Sequence, residues 1–358
     1  MEPAIRRART SDGVSIAYMV RGPVTAPVVL LLPGMPFSNM VAESRIPVVA
    51  GAFERLAASV RFLQLDGRGT GMSQRDVTDM SLDAMLRDIE AVLDAEHVTY
   101  AVLIGFYHSV TFALALAARE PARIDGLVLF GGATRGWGPM SGAGTQALLS
   151  LIDQDWDTFV ESAVHAWLGW PTEEEGRLAA EWFRTSTTPA IARAVLREAS
   201  GIDVTAVLPD VRCPVLVLHR AEASVIPIEL SRELAAALPD SRLELLPGRS
   251  ASLFFEDPVE VADRIVTFAL HPTTEPAPTA PARPGATRPV AGGRPAGLSP
   301  RELEVLTAIA RGDSNAEIAV RLGISVNTVE RHVTNVYRKI DARGRADATA
   351  WALRRGLA

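Results

Sequence analysis

The sequence of 358 residues predicts an α/β fold with a mostly parallel sheet, followed by a small all-α domain. Three features of the chain support this prediction. Short apolar runs alternate with helical patterns through residues 1–271, a stretch rich in proline, alanine and glycine occupies residues 272–297, and helical patterns fill residues 298–358. Because strands that alternate with helices form parallel sheets covered on both faces, we expect one large α/β domain before the small one.

The predicted strands of the large domain are short apolar runs that end at turn residues. Ser11-Asp12-Gly13 separates two candidate strands as a hairpin turn does, and the run at residues 27–32 stops at Pro33-Gly34. Runs of this kind suit strands that are buried on both faces. The later runs are residues 60–65, 100–104, 126–130, 214–219 and 242–246, and the helical patterns between them include residues 82–93 and 227–238.

One predicted strand-to-helix turn, at residues 105–109, has the steric pattern of a strained site. In a sharp turn of this kind the residues two positions before and after the central residue must be small. Gly105 and Ser109 meet this requirement if Tyr107 is the centre. A turn centred on Ser109 would instead place Tyr107 and Thr111 at the crowded positions. The sequence therefore favours Tyr107 as the central residue.

The first 270 residues resemble the α/β-hydrolase fold family over their whole length. The segments that carry the resemblance are Pro33-Gly34-Met35, Asp66 to Ser73, Gly105 to Ser109, Cys213 to His219 and Leu246-Pro247-Gly248. In this family the first segment belongs to the oxyanion loop and the third is the nucleophile turn. The resemblance implies a helical cap at about residues 132–208 and a catalytic triad of Ser, then Asp or Glu, then His in chain order.

The resemblance also implies that the three triad positions hold residues that cannot do this chemistry. The serine position holds Tyr107, the acid position Ala223 and the histidine position Ala251. None of the six histidines lies between residues 220 and 270, the segment that supplies the base in this family. We therefore expect that the domain is not an enzyme.

Tyr107 leaves three interpretations open. A phenol with an ordinary pKa of about 10 needs a strong base or a cationic neighbour to act as a nucleophile, and Glu222, beside the acid position, leaves weak hydrolase activity as one alternative. A second interpretation is that Tyr107 only fills the former pocket. We favour the third, in which the Tyr107 hydroxyl contacts a bound ligand.

A small-molecule effector in the former active site would contact the oxyanion loop, the nucleophile turn and the cap. Five of the six tryptophans lie in the cap segment, where they either pack the cap onto the sheet or line an apolar pocket. Backbone N–H groups of Met35 and His108 would orient the ligand at the former oxyanion hole. The candidate ligand-binding residues are Met35, Tyr107, His108, Trp137, Trp167, Trp170 and Ser250.

The composition changes abruptly after residue 271. Residues 272–297 have no apolar periodicity and cannot bury enough surface to offset the entropy of ordering, so we expect a mobile linker. Capping boxes at Ser299 and Ser314 then begin two short helices, and a fourth helix is expected at about residues 345–355. The third helix has an apolar stripe made of Val329, Val333, Val336 and Ile340.

The face of the third helix opposite this stripe is polar and cationic. The short turn at residues 323–325 joins the second and third helices into a helix-turn-helix, whose second helix contacts the major groove of DNA. Residues 298–357 closely resemble the LuxR-type DNA-binding domain, at Leu298 to Glu302, Ser314 to Ala319, Thr328 to Val333 and Tyr337 to Ile340. The candidate DNA-binding residues are Asn327, Thr328, Glu330, Arg331, Thr334, Asn335, Arg338 and Lys339. Because Glu330 lies where the family often has lysine, the base preference at that position cannot be carried over.

The net charge of −6 is unevenly distributed. Residues 298–358 contain ten Arg or Lys and seven Asp or Glu, a net of +3, and the linker has a net of +2, which leaves −11 for the first 271 residues. The acidic domain is not expected to bind DNA, whereas the basic domain is. A module of only +3 binds DNA weakly by itself, which favours a homodimer on paired half-sites.

Several classes of function are not expected from the composition. The only cysteine is Cys213, so neither disulfides nor a zinc site is expected. No cofactor is expected either. The chain shows no secretory signal and no run of about 20 apolar residues, which argues against a membrane partner and favours the cytoplasm.

The sequence thus predicts a bacterial transcription regulator that binds double-stranded DNA. Its non-catalytic α/β-hydrolase-like domain would sense a small molecule. Two alternatives remain. One is an active or weakly active hydrolase with a DNA-targeting tail, and the other is a constitutive DNA-binding protein whose hydrolase-like body serves dimerisation or partner contact.

Overall fold

A computed structural model of the protein describes residues 4–135, 143–168, 173–223, 227–274, 300–310, 313–322, 326–340, 342, 348 and 352. The chain divides into two compact units, residues 1–276 and 277–358. Most of the predicted linker, from residue 275 onward, lies outside the described residues.

The first unit is built on an eight-stranded, mostly parallel sheet, which confirms the predicted fold class. The strands lie in the order β1-β2-β4-β3-β5-β6-β7-β8, with β2 antiparallel to both of its neighbours and all later pairs parallel. The strands are β1 (Arg6–Arg9), β2 (Ser15–Arg21), β3 (Val28–Leu31), β4 (Arg61–Leu65), β5 (Ala101–Phe106), β6 (Ile124–Phe130), β7 (Val215–Arg220) and β8 (Ser241–Leu246). Each predicted run corresponds to a strand whose ends differ by no more than two residues.

Helices cover both faces of this sheet. Ten are described: α1 (Met40–Glu43), α2 (Pro47–Ala57), α3 (Leu82–Ala95), α4 (Ser109–Arg119), α5 (Ala143–Gln154), α6 (Trp156–Trp167), α7 (Glu173–Ser186), α8 (Pro189–Gly201), α9 (Ile228–Ala237) and α10 (Pro258–Leu270). Helices α5 to α8 lie between β6 and β7 in the chain, in the predicted cap segment. Side chains cap several of them; for example, Ser81 accepts from the Ala84 amide at 3.3 Å at the start of α3.

The core of the first unit lies in two layers, one on each face of the sheet. Along β5, Leu103 belongs to one layer, whereas Val102 and Ile104 belong to the other, because successive side chains of a strand point to opposite faces. The second layer also contains Phe159 of α6 and Phe183 of α7. Helices α6 and α7 of the cap therefore pack in the same layer as α2 and α10, whereas Val195 of α8 belongs to the other layer.

The second unit contains three described helices, α11 (Pro300–Ala310), α12 (Asn315–Leu322) and α13 (Val326–Ile340). Its core includes three of the four residues of the predicted stripe, Val329, Val333 and Val336. The turn between α12 and α13 and nearly all of the predicted fourth helix lie outside the described residues, although Ala348 and Ala352 are helical and buried.

Candidate functional site

The turn between β5 and α4 has Tyr107 at its strained centre. The φ angle of Tyr107 is 49°, in the left-handed region that a bulky residue rarely adopts. A side chain at Gly105 would begin 2.9 Å from the carbonyl oxygen of Ser109, so a small residue is required there. The Ser109 hydroxyl is buried and both accepts from the Phe106 amide and donates to the Phe106 carbonyl, each at 3.0 Å. Ser109 is thus a structural part of the turn, and the apex belongs to Tyr107.

The Tyr107 side chain is a neutral phenol packed against the ends of β5 and β6. Its ring packs edge-on against Phe130, with the ring centroids 6.0 Å apart, and Gly131 also lies beside the Tyr107 ring. Burial raises the pKa of Tyr107 far above its ordinary value, and the positive charge of Arg220 offsets only part of that effect. The hydroxyl can therefore donate a hydrogen bond but is a poor nucleophile.

The loops that would supply an acid and a base contain neither at the expected places. Ala223 follows β7, and its amide donates to the Arg220 carbonyl at 3.1 Å. Ala251, in the loop after β8, is buried. The Glu222 side chain is exposed, while its amide donates to the Gly248 carbonyl at 3.1 Å and ties the two loops together.

A buried guanidinium, Arg220, holds the loop after β8 in place. Its side chain is 0% exposed, and it donates to the carbonyl oxygens of Pro247 at 2.7 Å, Leu253 at 3.4 Å and Glu256. The Glu256 carboxylate lies 3.6 Å from the Arg220 Nε and also accepts from the Ser250 amide at 3.1 Å. No pattern in the sequence predicts this cluster, although the arginine at the end of a buried strand was a visible signal.

The two residues predicted to supply oxyanion-hole amides occupy different environments. The Met35 amide donates to the Pro33 carbonyl at 3.0 Å, and the Met35 side chain packs where a Cβ on Gly67 would lie. His108 is buried edge-on against Phe112 at 5.0 Å, and burial lowers its pKa to about 4. The His108 imidazole is therefore neutral at physiological pH and is not a source of positive charge.

Among the candidate ligand contacts of the cap, Trp167 packs in an aromatic cluster. Its ring lies 6.2 Å from Phe37, 6.1 Å from Phe159 and 6.4 Å from Phe183. The rings of Phe37 and Phe183 are stacked at 4.1 Å, which joins the oxyanion loop to α7. Packing of the cap is thus the observed role of this tryptophan. Trp137 and Trp170 lie outside the described residues.

Ser250 also contacts the cap. Its hydroxyl donates to the Leu168 carbonyl at 3.1 Å, directly after α6, and accepts from the Ser252 amide at 3.1 Å. The loop after β8 is therefore fastened to the cap at Ser250 and to β7 at Arg220. A ligand contact from Ser250 stays a prediction.

Two carboxyl groups, those of the buried Asp66 and the partly exposed Glu43, accept hydrogen bonds from residues 38–40 of the oxyanion loop. Asp66 accepts from the Met40 amide at 2.8 Å and from the Ser38 hydroxyl at 3.1 Å, and Glu43 accepts from the Asn39 amide at 3.4 Å. Burial, together with the negative charge of Asp66, raises the pKa of Glu43 to about 8, and burial raises the pKa of Asp66 to about 6. Both carboxyl groups therefore bind a proton more tightly in the folded state than in the unfolded state.

We expect the protein to lose stability as the pH rises from about 4 to about 9. Since the pKa values of Glu43 and Asp66 are raised in the folded state, their contribution is complete below pH 4 and is lost as the pH passes about 6 and then about 8. A Glu43→Gln variant should lose less stability between pH 6.5 and pH 9, by on the order of 2 kcal/mol. Urea unfolding across this range measures the effect, and parallel profiles for the two proteins would contradict it.

Helix α13 carries the predicted DNA-binding face. Thr328 and Asn335 are partly exposed, and Lys339 is exposed but forms an ion pair with Glu302 of α11, at 2.7 Å. The Glu302 carboxylate is 6% exposed, so this pair also fixes α13 against α11. The side chains of the other candidates, Asn327, Glu330, Arg331, Thr334 and Arg338, lie outside the described residues, although their backbone belongs to α13.

In the part of the chain that the structure describes, no three His, Cys, Asp or Glu side chains are grouped as metal ligands are. No helix in the same residues has the length and apolar character needed to cross a membrane.

Comparison with known proteins assigns each unit to a family. The model described as "Serine aminopeptidase, S33" matches residues 48–258, and the model described as "Bacterial regulatory proteins, luxR family" matches residues 296–352. The "Putative carbamate hydrolase RutD" of Caulobacter sp. (strain K31) is 31% identical over 208 residues, which cover 55% of this chain and 76% of that protein. The "Oxygen regulatory protein NreC" of Staphylococcus haemolyticus is 43% identical over 60 residues, which cover 17% of this chain and 28% of that protein.

Solved structures show the same fold for the first unit. The esterase RhEst1 from Rhodococcus sp. ECU1013 is 27% identical, with a TM-score of 0.65 over 75% of this chain and 98% of that one. The hydrolase family match covers more than half of the chain and includes the Tyr107 turn and the loops after β7 and β8. The chain therefore belongs to the serine aminopeptidase S33 family of the α/β-hydrolase fold, and its residues 296–352 form a DNA-binding domain of the luxR family of bacterial regulatory proteins.

Proposed function

We propose that this LuxR-type transcriptional regulator uses its α/β-hydrolase domain to bind a small molecule rather than to hydrolyse one. The observation that carries the proposal is Tyr107 at the left-handed centre of the nucleophile turn, with its pKa raised by burial. At that apex a neutral hydroxyl can orient a ligand. Ala223 and Ala251, in the loops that follow β7 and β8, offer no acid or base to activate it.

An effector controls DNA binding only if it prefers one state of the protein. A small molecule that bound the DNA-competent and DNA-incompetent states equally would not change the equilibrium between them. A ligand at Tyr107 would act by changing the conformation of the loop after β8. Arg220 and Ser250 fasten this loop to β7 and to the cap. Known couplings between sites change affinity by a factor of about 5 to 150.

Hydrolysis is the competing function, because relatives of the first unit are named as hydrolases. We expect the full-length protein to release p-nitrophenol from p-nitrophenyl acetate and from a p-nitrophenyl carbamate no faster than a Tyr107→Phe variant does. The reason is that a neutral phenol without a base is a weak nucleophile. The comparison is made by steady-state absorbance at matched concentrations. Turnover by the wild type that disappears in Tyr107→Phe would establish the hydrolase instead.

Sensing can be tested without knowing the ligand. The affinity of the protein for its own upstream DNA would be measured with and without a low-molecular-weight extract of the host cells. We expect the extract to change the affinity of the wild type, and to have no effect on a Tyr107→Trp variant, whose larger ring fills the site. If the extract changes the DNA affinity of neither protein, the alternative of constitutive DNA binding is favoured.

DNA binding by α13 has its own test. An Arg331→Ala variant is expected to bind its target promoter about tenfold or more weakly than the wild type, because arginine at this face supplies a phosphate or base contact. Arg119→Ala, which removes a partly exposed arginine of the first unit, is the matched control and should leave the affinity unchanged. Gel retardation over a series of salt concentrations gives both the affinity and its salt dependence. Failure of the wild type to retard any promoter, including its own, would contradict the regulator function.

A further inference from the structure

The two edges of the sheet differ in their capacity to pair with another chain. In the part of the chain that the structure describes, β1 and β8 are the outermost strands and each pairs on one side only. An unpaired edge presents backbone N–H and C=O groups that can bind a further strand. Which edge can accept one depends on its side chains.

The β1 edge is protected by like charge. Its residues 6–9 are Arg, Arg, Ala and Arg, and the three arginines are exposed. A second copy of β1 placed antiparallel and centred on Ala8 would set Arg7 opposite Arg9, in both directions across the axis. Like charges that face each other directly destabilise a strand pair, so two copies cannot join here.

The β8 edge has its outward backbone groups at alternate residues. The amide of Ala221 donates to the carbonyl of Leu246 at 2.9 Å, so residue 246 directs its backbone groups towards β7. Because the direction alternates along a strand, residues 242 and 244 do the same. The outward groups therefore belong to Ser241, Leu243 and Leu245.

The side chains of β8 are complementary to a second copy of themselves. In an antiparallel pair centred on Leu243, the two Leu243 residues exchange both backbone hydrogen bonds, and Arg242 of each copy faces Glu244 of the other. Shifting the centre to residue 242 or 244 would set arginine against arginine or glutamate against glutamate. Of these three registers, only the one centred on Leu243 joins opposite charges at both places.

The surroundings of β8 support this register. Arg242 and Glu244 already form an ion pair at 2.8 Å along the strand, and each side chain is 22% exposed. Glu244 also pairs with Arg264 of α10, which orients its carboxylate. Leu245, at the same edge, is 49% exposed, an apolar side chain that a second copy would cover.

We propose that the β8 edge is a dimer interface, at which two copies of this chain join antiparallel about a two-fold axis at Leu243. The two sheets then form one continuous sheet of sixteen strands, with a ladder of four alternating charges, Arg242 and Glu244 from each copy, along the junction. This surface does not depend on ligand binding at Tyr107, so the dimer proposal and the sensor function can be tested separately.

Charge exchange between two variants tests the proposal on the full-length protein. In Arg242→Glu and in Glu244→Arg, the homodimer would place like charges opposite each other twice, and we expect each to raise the dimer dissociation constant about tenfold or more in sedimentation equilibrium. In an equimolar mixture, the introduced glutamate of the first variant faces the introduced arginine of the second, and the native Glu244 of the first faces the native Arg242 of the second. The mixture should therefore form a heterodimer close to wild-type affinity. A purely structural role of either residue would not be repaired by mixing.

A backbone variant tests the same edge independently. Leu245→Pro removes an outward N–H group without removing a bond to β7, because proline is tolerated on the free side of an edge strand. It should prevent dimerisation, whereas Leu245→Ala should retain it. Three results would each overturn the proposal: a wild type that is monomeric at tens of micromolar, single charge variants that dimerise as tightly as the wild type, or folded charge variants that fail to associate on mixing. If Leu245→Pro does not fold, the mixing experiment alone decides.

Discussion

An Asp88→Ala variant is expected to unfold with a free energy about 3–5 kcal/mol lower than that of the wild type. Asp88 of α3 and Arg68, in the loop after β4, are each 1% exposed. The Arg68 guanidinium donates to the Asp88 carboxylate from Nη2 at 2.8 Å and from Nε at 3.0 Å, and the Arg68 amide donates to it at 3.0 Å. Removing the carboxylate leaves a buried positive charge and a buried amide without this acceptor. Equilibrium urea unfolding at pH 7 measures the loss.

Asp12 provides the matched control, because it is a second carboxylate on the same guanidinium. Arg68 Nη1 donates to it at 2.8 Å and holds its pKa well below the ordinary range, but the Asp12 side chain is 30% exposed. Water can replace much of the interaction with Arg68 that an Asp12→Ala variant removes. We therefore expect its free energy of unfolding to fall by about 1 kcal/mol or less. Equal losses in the two variants would show that burial is not the cause of the effect.

The fold and the centre of the nucleophile turn could be predicted because both depend on local patterns. The apolar run that becomes β5 is continuous, and its neighbours Gly105 and Ser109 are small for a steric reason that the sequence shows directly. The order of the strands in the sheet does not follow from such patterns; it was expected only through the resemblance to a family. The structure then places Tyr107 where the sequence expected it.

The charged clusters could not be predicted, since their partners are distant in the chain. Asp88 lies in an amphipathic helix where sequence alone would place it in water, and only the fold brings Arg68 over it. Lys339 was expected to face DNA, and its position on α13 agrees, but its ammonium group is also bonded to Glu302, 37 positions earlier. Pairs of this kind require the packing of two elements, which propensity and periodicity do not encode.

The same limit applies to Arg220, whose replacement by alanine is expected to lower the free energy of unfolding by about 3 kcal/mol or more. The loss follows because the carbonyl oxygens of Pro247, Leu253 and Glu256 would lose their shared donor, and the bond to Leu253 is in a buried site. Arg220→Lys keeps the positive charge but not the planar guanidinium group, so its loss in the free energy of unfolding should be intermediate. Guanidinium chloride unfolding of the three proteins tests this ordering, and an Arg220→Ala variant within about 1 kcal/mol of the wild type would contradict it. The confirmed ordering would mean that the hydrogen bonds of the Arg220 guanidinium hold the loop after β8 in place.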